Sequence, residues 1–398
     1  MAFEFGGFLK EKNLWQNHID LVRERGGHVP TFVHQAISNG GIDPFAKEFT
    51  NLKRRHVKFR GRFYENFEDL ARADLKNSTS IYEHKEEVLA EVDRLASRGG
   101  IRFISKQEAF STGSIINPIQ WHRSHRSDGK VKCRFIIHGK VNPYYSRPKF
   151  SMAEISDEVH IIAKFDKLVV NDNEDAFYQV KVTSSASKWL RFKLDFEGEP
   201  IRYAEMLVLG MGLSSSPYCV QSLNRLLIEA YTFTYNVYAE VFIDDSWSST
   251  KPGVPHFDAF CQPLGIKFKS SKKRIGSQLV ILGVSIDLVK KTATLTQEKA
   301  SILSLEAGRM MAKDFITPQS LSAFLGRAEF CSKITTLGRV FSAELVKIYG
   351  QYAADGGDVT SEEEVIEVTD QARVELGWWK KVKVLGDVSF QSRPAFRS

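Results

Sequence analysis

Asp244 and Asp245 stand side by side directly after the apolar run Tyr238–Ile243, and a second short extended run follows them. Paired acids are also common in tight turns, so the pair alone has an ordinary explanation. A third acid, Asp172, adds weight. It lies just before Phe177–Thr183, a stretch rich in aromatic and β-branched residues that predicts a strand. The end of one strand and the turn of a neighbouring hairpin can meet. Three carboxylates there would hold two hard divalent cations about 3.5–4 Å apart. Such a pair suits in-line phosphoryl displacement: one ion lowers the pKa of an attacking 3′-hydroxyl, and both steady the charge on phosphorus.

The elements that must position these acids are partly legible. Val88, Leu89, Val92 and Leu95 recur at helical spacing, with Glu86, Glu87, Glu91 and Arg94 opposite, and Gly99-Gly100 predicts a left-handed stop. Asp128-Gly129, between extended stretches, reads as a hairpin turn. Leu190, Phe192, Leu194 and Phe196 alternate with Arg191, Lys193 and Asp195, the period of a strand with one buried face. A Gly/Ser-rich loop, Gly210 to Ser216, ends at Pro217 and leads into a helix through Leu223, Leu226 and Leu227. Beyond about Leu295 the pattern turns helical. Leu321, Phe324, Leu325 and Ala328 form one stripe, Val374, Trp378 and Trp379 belong to a last helix, and Asp355–Asp358 reads as a connecting turn. The first eighty residues carry no legible role. Strands mixed with helices and then a helical tail predict an α+β core with an appended α domain.

Composition bounds the class. A chain of 398 residues, 42% hydrophobic and 26% charged, is long enough for two or three packing units and unlike a disordered, collagenous or coiled-coil chain. No apolar run reaches the roughly 18 residues of a membrane span, and the N-terminus lacks a signal-peptide core. The four cysteines are far apart, without a Cys-x-x-Cys pair, so a reduced, intracellular protein is expected, with cytoplasm and nucleus both open. The net charge of +7 hints at a polyanionic partner. Its basic runs, Lys53 to Arg62 and Lys267 to Arg274, read equally well as solvated faces.

Taken in order, several segments resemble retroelement reverse transcriptases of the DIRS-type and LTR-retrotransposon-like kind. Asp172-Asn173-Glu174-Asp175-Ala176-Phe177-Tyr178 resembles the family's first acidic motif, and Phe242-Ile243-Asp244-Asp245 its Tyr-x-Asp-Asp box, with Phe in place of Tyr. Asn117-Pro118-Ile119, Asp128-Gly129-Lys130, Arg134 and Asn142 follow its fingers hairpin, and Gly212–Pro217 its Gly-x-x-x-Ser-Pro loop. Gly265 with Lys272, Ile281-Leu282-Gly283, and Leu325-Gly326 through Leu337-Gly338-Arg339 resemble later segments. Coverage runs from about Tyr82 to Trp379.

The resemblance implies a right-hand polymerase fold. Residues 81–147 and 183–216 would be fingers, 148–182 and 217–292 a palm with a small antiparallel sheet, and 293–398 a helical thumb or connection, after an N-terminal extension over 1–80. It implies RNA-directed, and also DNA-directed, DNA synthesis from a primer 3′-hydroxyl, with two Mg2+ ions for which Mn2+ can substitute. Asp172 and Asp244 would ligate the metals, with Asp245 a weaker ligand. Arg134 and one of Lys130 or Lys132 would meet the triphosphate, although the lysines could equally be surface charges. Phe177 would exclude a ribose 2′-hydroxyl, or be an ordinary core aromatic. Gly212, with Met211 where retroviral enzymes carry Gln, would let the backbone approach the nascent pair, or simply turn. Lys272 would protonate pyrophosphate, or belong with Lys269 and Lys273 to a solvated loop. Phe242, Ser216 and Pro217 would border the template-primer, and Arg327, Lys333 and Arg339 would track its phosphates, while the helical stripe beside them serves packing. Expected partners are an RNA or DNA template-primer and dNTPs, without a membrane. The sequence has no second nuclease constellation, so RNase H or another retroelement protein would act from a separate chain or segment. Three rivals stand beside this reading: a nucleic-acid-binding scaffold without catalysis, a palm polymerase using rNTPs, and a basic α+β interaction protein whose boxes are coincidental.

Overall fold

The computed structural model describes residues 6–7, 11–45, 57–60, 62–125, 129–143, 150, 152–335, 337–359, 361–382 and 388–389. Lys53–His56 of the first basic run and Asp128 of the expected hairpin turn lie outside them. The chain divides into two compact units, one of Met1–Met152 with Asn171–Lys273 and one of Ala153–Val170 with Arg274–Ser398.

In the first unit, helix α1 (Lys12–Glu24) sets Trp15, Ile19 and Val22 on one face, all fully buried. Burying side chains of this size contributes roughly 1.5–3 kcal/mol each, so this N-terminal segment belongs to the main core. Helix α2 (Lys85–Ser97) buries Val88, Val92 and Leu95, and Gly99 at φ +74 ends it as its spacing predicts. Strands β1 (Ile101–Ile104), β2 (Ile116–Asn117), β3 (Ile119–His125) and β4 (Val131–Ile137) follow. The β3–β4 pair is antiparallel with Ile119 opposite Ile137. β5 (Leu168–Asp172) straddles the division. It is followed by β6 (Arg191–Leu194), β7 (Arg202–Met206) and the long α3 (Ser216–Tyr235), which has Pro217 in its first turn. The hairpin β8 (Ala239–Phe242) and β9 (Asp245–Ser249) completes the unit and shares a sheet with the C-terminal end of β5.

Two expectations fail here. Phe177–Thr183 is not a strand: Asp175 adopts φ +49 and starts a 3-10 turn over Ala176–Gln179. The Arg94 guanidinium bonds Asp175 at 2.8 Å, fixing that left-handed start. Asp172 therefore ends a strand instead of preceding one. The second failure is β6, which alternates in sequence yet is buried on both faces. Its polar face is admitted by matched charge. Arg191, 2% exposed, donates Nε to Glu205 at 3.1 Å, and Arg102 meets the other Glu205 oxygen at 2.6 Å. β6 and β7 lie at the centre of the four-stranded order β1–β7–β6–β2.

The second unit begins at β10 (Arg274–Gly276), antiparallel to the first residues of β5. β11 (Gln278–Ile281), β12 (Val284–Asp287) and β13 (Thr292–Leu295) form an antiparallel meander. Leu282 at φ +50 and Gly283 at φ +77 make the two-residue turn between β11 and β12, the backbone that matches strand twist. Helices α4 (Gln297–Met311), α5 (Pro318–Ser332), α6 (Ala343–Ala354) and α7 (Asp370–Lys380) bury Leu303, Leu321, Phe324, Ala328, Leu345, Leu376 and Trp379. The expected stripe on α5 is thus packing. The expected last helix, α7, holds Val374, Trp378 and Trp379; Trp379 is buried and its Nε1 donates to the Phe341 carbonyl at 2.7 Å, while Val374 faces outward at 58% exposure. No helix among the described residues is long and apolar enough to cross a membrane.

Candidate active site

The β8–β9 hairpin turns through Ile243 and Asp244. Ile243 sits at φ +55, a left-handed backbone that costs an ordinary L residue roughly 1–2 kcal/mol and suits a β-branched one poorly. Buried amides grip it. Gln221 on α3 accepts from the Ile243 N–H at 2.6 Å and donates to the Val241 carbonyl at 3.2 Å. Asn224, one turn further along α3, donates to the Ile243 carbonyl at 2.6 Å and accepts from the Asn173 side chain at 3.2 Å. The Asn173 N–H in turn donates to the Asp244 carbonyl at 2.8 Å. The residue after Asp172 is thereby clasped to the turn that carries the other two acids.

The three carboxylates feel one another. Burial, then Asp172, raises the pKa of Asp244, with Lys269 and Lys132 opposing. Burial, then Asp244 and Asp172, pushes Asp245 up to about 6 against Lys272 and Lys269. Asp172 is 7% exposed, and two ammonium groups stand on it: Lys272 hydrogen-bonds Oδ2, and Lys269 lies 3.0 Å from Oδ1. Oδ1 receives no well-aligned hydrogen bond, so its contact with Lys269 is Coulombic.

The donor set is all hard oxygen, and its repulsion would be relieved by a divalent cation, so in kind it fits Mg2+. Among the described residues no group of three or more His, Cys, Asp or Glu side chains is arranged to hold a metal ion, and lysines supply the positive charge at Asp172. Ligation by all three acids needs those lysines to withdraw. The Lys267–Arg274 segment is therefore not simply a solvated loop: Lys269 and Lys272 pair with Asp172, and Lys273 with Asp258 at 2.7 Å.

The other sequence candidates divide. Lys132 and Arg134 alternate onto one face of β4, opposite buried Phe135 and Ile137, and Lys132 acts electrostatically on Asp244. Lys130 is exposed just before that strand. Phe177 is half-buried on its 3-10 turn and packs against the core. Met211 lies in an isolated parallel bridge with Ile136. Gly212 is required by the fold itself: its φ is +100, and a Cβ would lie 2.1 Å from the Ile137 carbonyl oxygen. Asn142 pins the same loop, donating to the Gly212 carbonyl at 2.7 Å and accepting from the Ser214 N–H at 3.0 Å.

Ser216 is 1% exposed and its hydroxyl donates to the Gly210 carbonyl at 2.9 Å, so its side chain shapes the loop. Pro217 starts α3, and half-buried Phe242 ends β8. In the second unit Arg327 pairs with Glu306 at 2.6 Å, Lys333 with Glu154 at 3.0 Å and Arg339 with Glu329 at 3.4 Å. The sequence reading missed Gln221 and Asn224. Both lie among the apolar residues Cys219, Val220, Leu223, Leu226 and Leu227, with Ser222 and Arg225 as further polar neighbours, so no local pattern singled them out.

At the β3–β4 hairpin, Glu87 accepts from Trp121 Nε1 at 2.8 Å and from the Cys133 thiol at 3.5 Å, with Arg123 nearby at 3.6 Å. None of the four cysteines, all among the described residues, is in a disulfide; Cys133 is exposed and the other three are buried.

No known family pattern and no curated protein matches the sequence. Solved structures do match in fold. A foamy viral protease-reverse transcriptase dRH, in complex with double-stranded DNA, is similar with a TM-score of 0.56 at 13% identity, over 98% of this chain and 63% of that one. A foamy viral protease-reverse transcriptase in complex with RNA/DNA hybrid is similar with a TM-score of 0.54 at 14% identity, over 79% of this chain and 38% of that one. The chain thus spans less than two thirds of either neighbour, and its fold is like that of a retroviral reverse transcriptase.

Proposed function

We propose that the chain is an RNA-directed DNA polymerase, able also to copy DNA, which extends a primer 3′-hydroxyl with dNTPs. The observation that carries this reading is the trio Asp172, Asp244 and Asp245, gathered at a strand end and a hairpin turn until burial and repulsion lift Asp245 to about 6. The nucleic acids in the two similar structures, double-stranded DNA and an RNA/DNA hybrid, support a duplex partner. Fingers, palm and thumb would then follow the boundaries given by the sequence resemblance.

Asp172, Asp244 and Asp245 would hold two Mg2+ ions, or Mn2+ in their place. Bound there, the ions supply Lewis acidity at the 3′-oxygen and neutralise charge on the phosphoryl group. Lys132 and Arg134, with Lys130, bind triphosphate oxygens, where a guanidinium fork suits phosphate. Phe177 presents its ring to the sugar and excludes a 2′-hydroxyl. Lys272, once released from Asp172, holds a proton at Nζ for the departing pyrophosphate. Met211 and Gly212 border the nucleotide, and Ser216, Pro217 and Phe242 border the template-primer. Arg327, Lys333 and Arg339 exchange their carboxylate partners for its phosphates.

The test is primer extension with Mg2+ on matched RNA and DNA templates, offering dNTPs or rNTPs, beside Asp244→Asn. Extension on RNA with dNTPs that the variant loses supports the reading. Phe177→Val should relax ribonucleotide exclusion by on the order of tenfold, the scale of one lost pocket contact; unchanged discrimination removes Phe177 from that role. Extension with rNTPs alone would make the chain an RNA-synthesising palm enzyme. The pairing of Asp172 with two lysines favours a second reading, a nucleic-acid-binding scaffold, and template-primer binding without extension under any condition would select it.

A further inference from the structure

The strained turn at Ile243 is maintained by groups that touch no reacting atom. Ile243 carries a positive φ, which glycine adopts freely and isoleucine resists. Left to its own preference, the turn would relax and swing Asp244 and Asp245 away from the end of β5. Three buried amides oppose that relaxation: Gln221, 5% exposed, and Asn224 and Asn173, each 2% exposed. Gln221 holds the Ile243 N–H and the Val241 carbonyl, while Asn224 holds the Ile243 carbonyl. Asn173 closes the ring, bonding Asn224 through its side chain and the Asp244 carbonyl through its backbone. Hydrophobic side chains would suit this stretch of α3 on packing grounds, since Cys219, Val220, Leu223, Leu226 and Leu227 around the two amides are buried. Buried amides are tolerated because each finds its partners, and every partner lies in the acidic hairpin or beside Asp172.

We infer that Gln221 and Asn224 are positioning residues, which impose the left-handed backbone at Ile243 and so fix the separation of Asp172 from Asp244 and Asp245. This rests on the polymerase reading for its consequence in rate, but not for its consequence in structure. Displacing a reacting group by about 1 Å can cost on the order of 100-fold in rate.

The experiment compares Gln221→Met and Asn224→Leu with the unaltered chain, and each of them again with Ile243→Gly added. Glycine reaches the turn geometry unaided, so it should make the amides dispensable. Expected for the single variants is a kcat lowered on the order of 10- to 100-fold, with KM for dNTP nearly unchanged and recovery of most of the loss when glycine is added. In parallel, hydrogen exchange of the segment 240–247 should quicken in Gln221→Met, because the Ile243 N–H loses its acceptor. Normal kcat in both single variants overturns the inference, as does a loss in cleanly folded protein that glycine does not recover. If Asn224→Leu fails to fold, Gln221→Met carries the same decision. If the unaltered chain extends no primer, the polymerase reading has failed, and exchange alone decides: faster exchange upholds the positioning role, unchanged exchange overturns it.

Discussion

The first unit buries charge in two contrasting ways. In the β1–β7–β6–β2 sheet, Glu205 is shared by Arg191 at 3.1 Å and Arg102 at 2.6 Å, while Arg102 also reaches Glu108 at 2.6 Å. Opposite signs alternate and both Glu205 oxygens are occupied. At the β5 end and the β8–β9 turn, three acids of one sign crowd together, answered by two lysines that both stand on Asp172. The first arrangement is complete within the chain. The second leaves Asp244 and Asp245 with carboxyls raised by burial and by their neighbours' negative charge. A matched cluster fixes structure, whereas an unmatched one gives up stability for chemistry.

The sharpest way to test that contrast is Asp244→Asn, which removes one acid while keeping its shape. Extension should fall by at least about 1000-fold, measured as steady-state incorporation, while template-primer binding persists. In the matched cluster the penalty should appear in stability. Glu205→Gln leaves the buried Arg191 guanidinium without a carboxylate, while Arg102 keeps Glu108, and should cost about 3 kcal/mol by denaturant titration. A loss near zero would mean that water already screens this pair.

Smaller effects probe the imbalance directly. Because Asp245 is lifted to about 6, extension should decline as pH falls below that value. Lys272 holds Asp245 down, so Lys272→Met should move this acidic limb to higher pH; a limb that stays put would separate Lys272 from the trio. The smallest effect carries the most telling sign. Between the ordinary carboxylate pKa and about 6 the folded chain binds more protons at Asp245 than the unfolded one, so this group makes stability fall as pH rises through that window. Asp245→Asn should therefore stabilise the protein at pH 8, by about 1 kcal/mol after solvent screening, seen as a higher Tm.

What the sequence disclosed follows the same division. The α2 periodicity, the β8–β9 hairpin and the entry to α3 were legible because a single local rule governs each: apolar spacing, paired acids after a strand, proline in a first turn. β6 was misread because alternation implies a wet polar face, and only long-range partners, Glu205 and Asp74, make Arg191 and Lys193 burial tolerable. The 3-10 turn at Phe177 was hidden because its cause, Asp175 held by Arg94, joins positions distant in sequence. The helix carrying Trp15, Ile19 and Val22 went unread among the first eighty residues, since nothing local told that its face enters the main core. The three acids and Lys272 could be chosen from the sequence; that Lys269 and Lys272 stand on Asp172, and that Gln221 and Asn224 grip Ile243, was not legible there, since it depends on what the fold brings together.

Cys133 gives the protein a built-in attachment point for a spectroscopic probe. It is exposed on β4 while the other three cysteines are buried, so a thiol-directed reagent should mark one position under native conditions. Partial burial and the Glu87 carboxylate push its thiol up, which leaves little thiolate at neutral pH and slows labelling unless the solution is made mildly alkaline. A fluorophore or nitroxide placed there would sit one residue from Lys132, on the opposite face of the strand, and would report movement of this hairpin when nucleotide or duplex is added, without any cysteine having to be introduced.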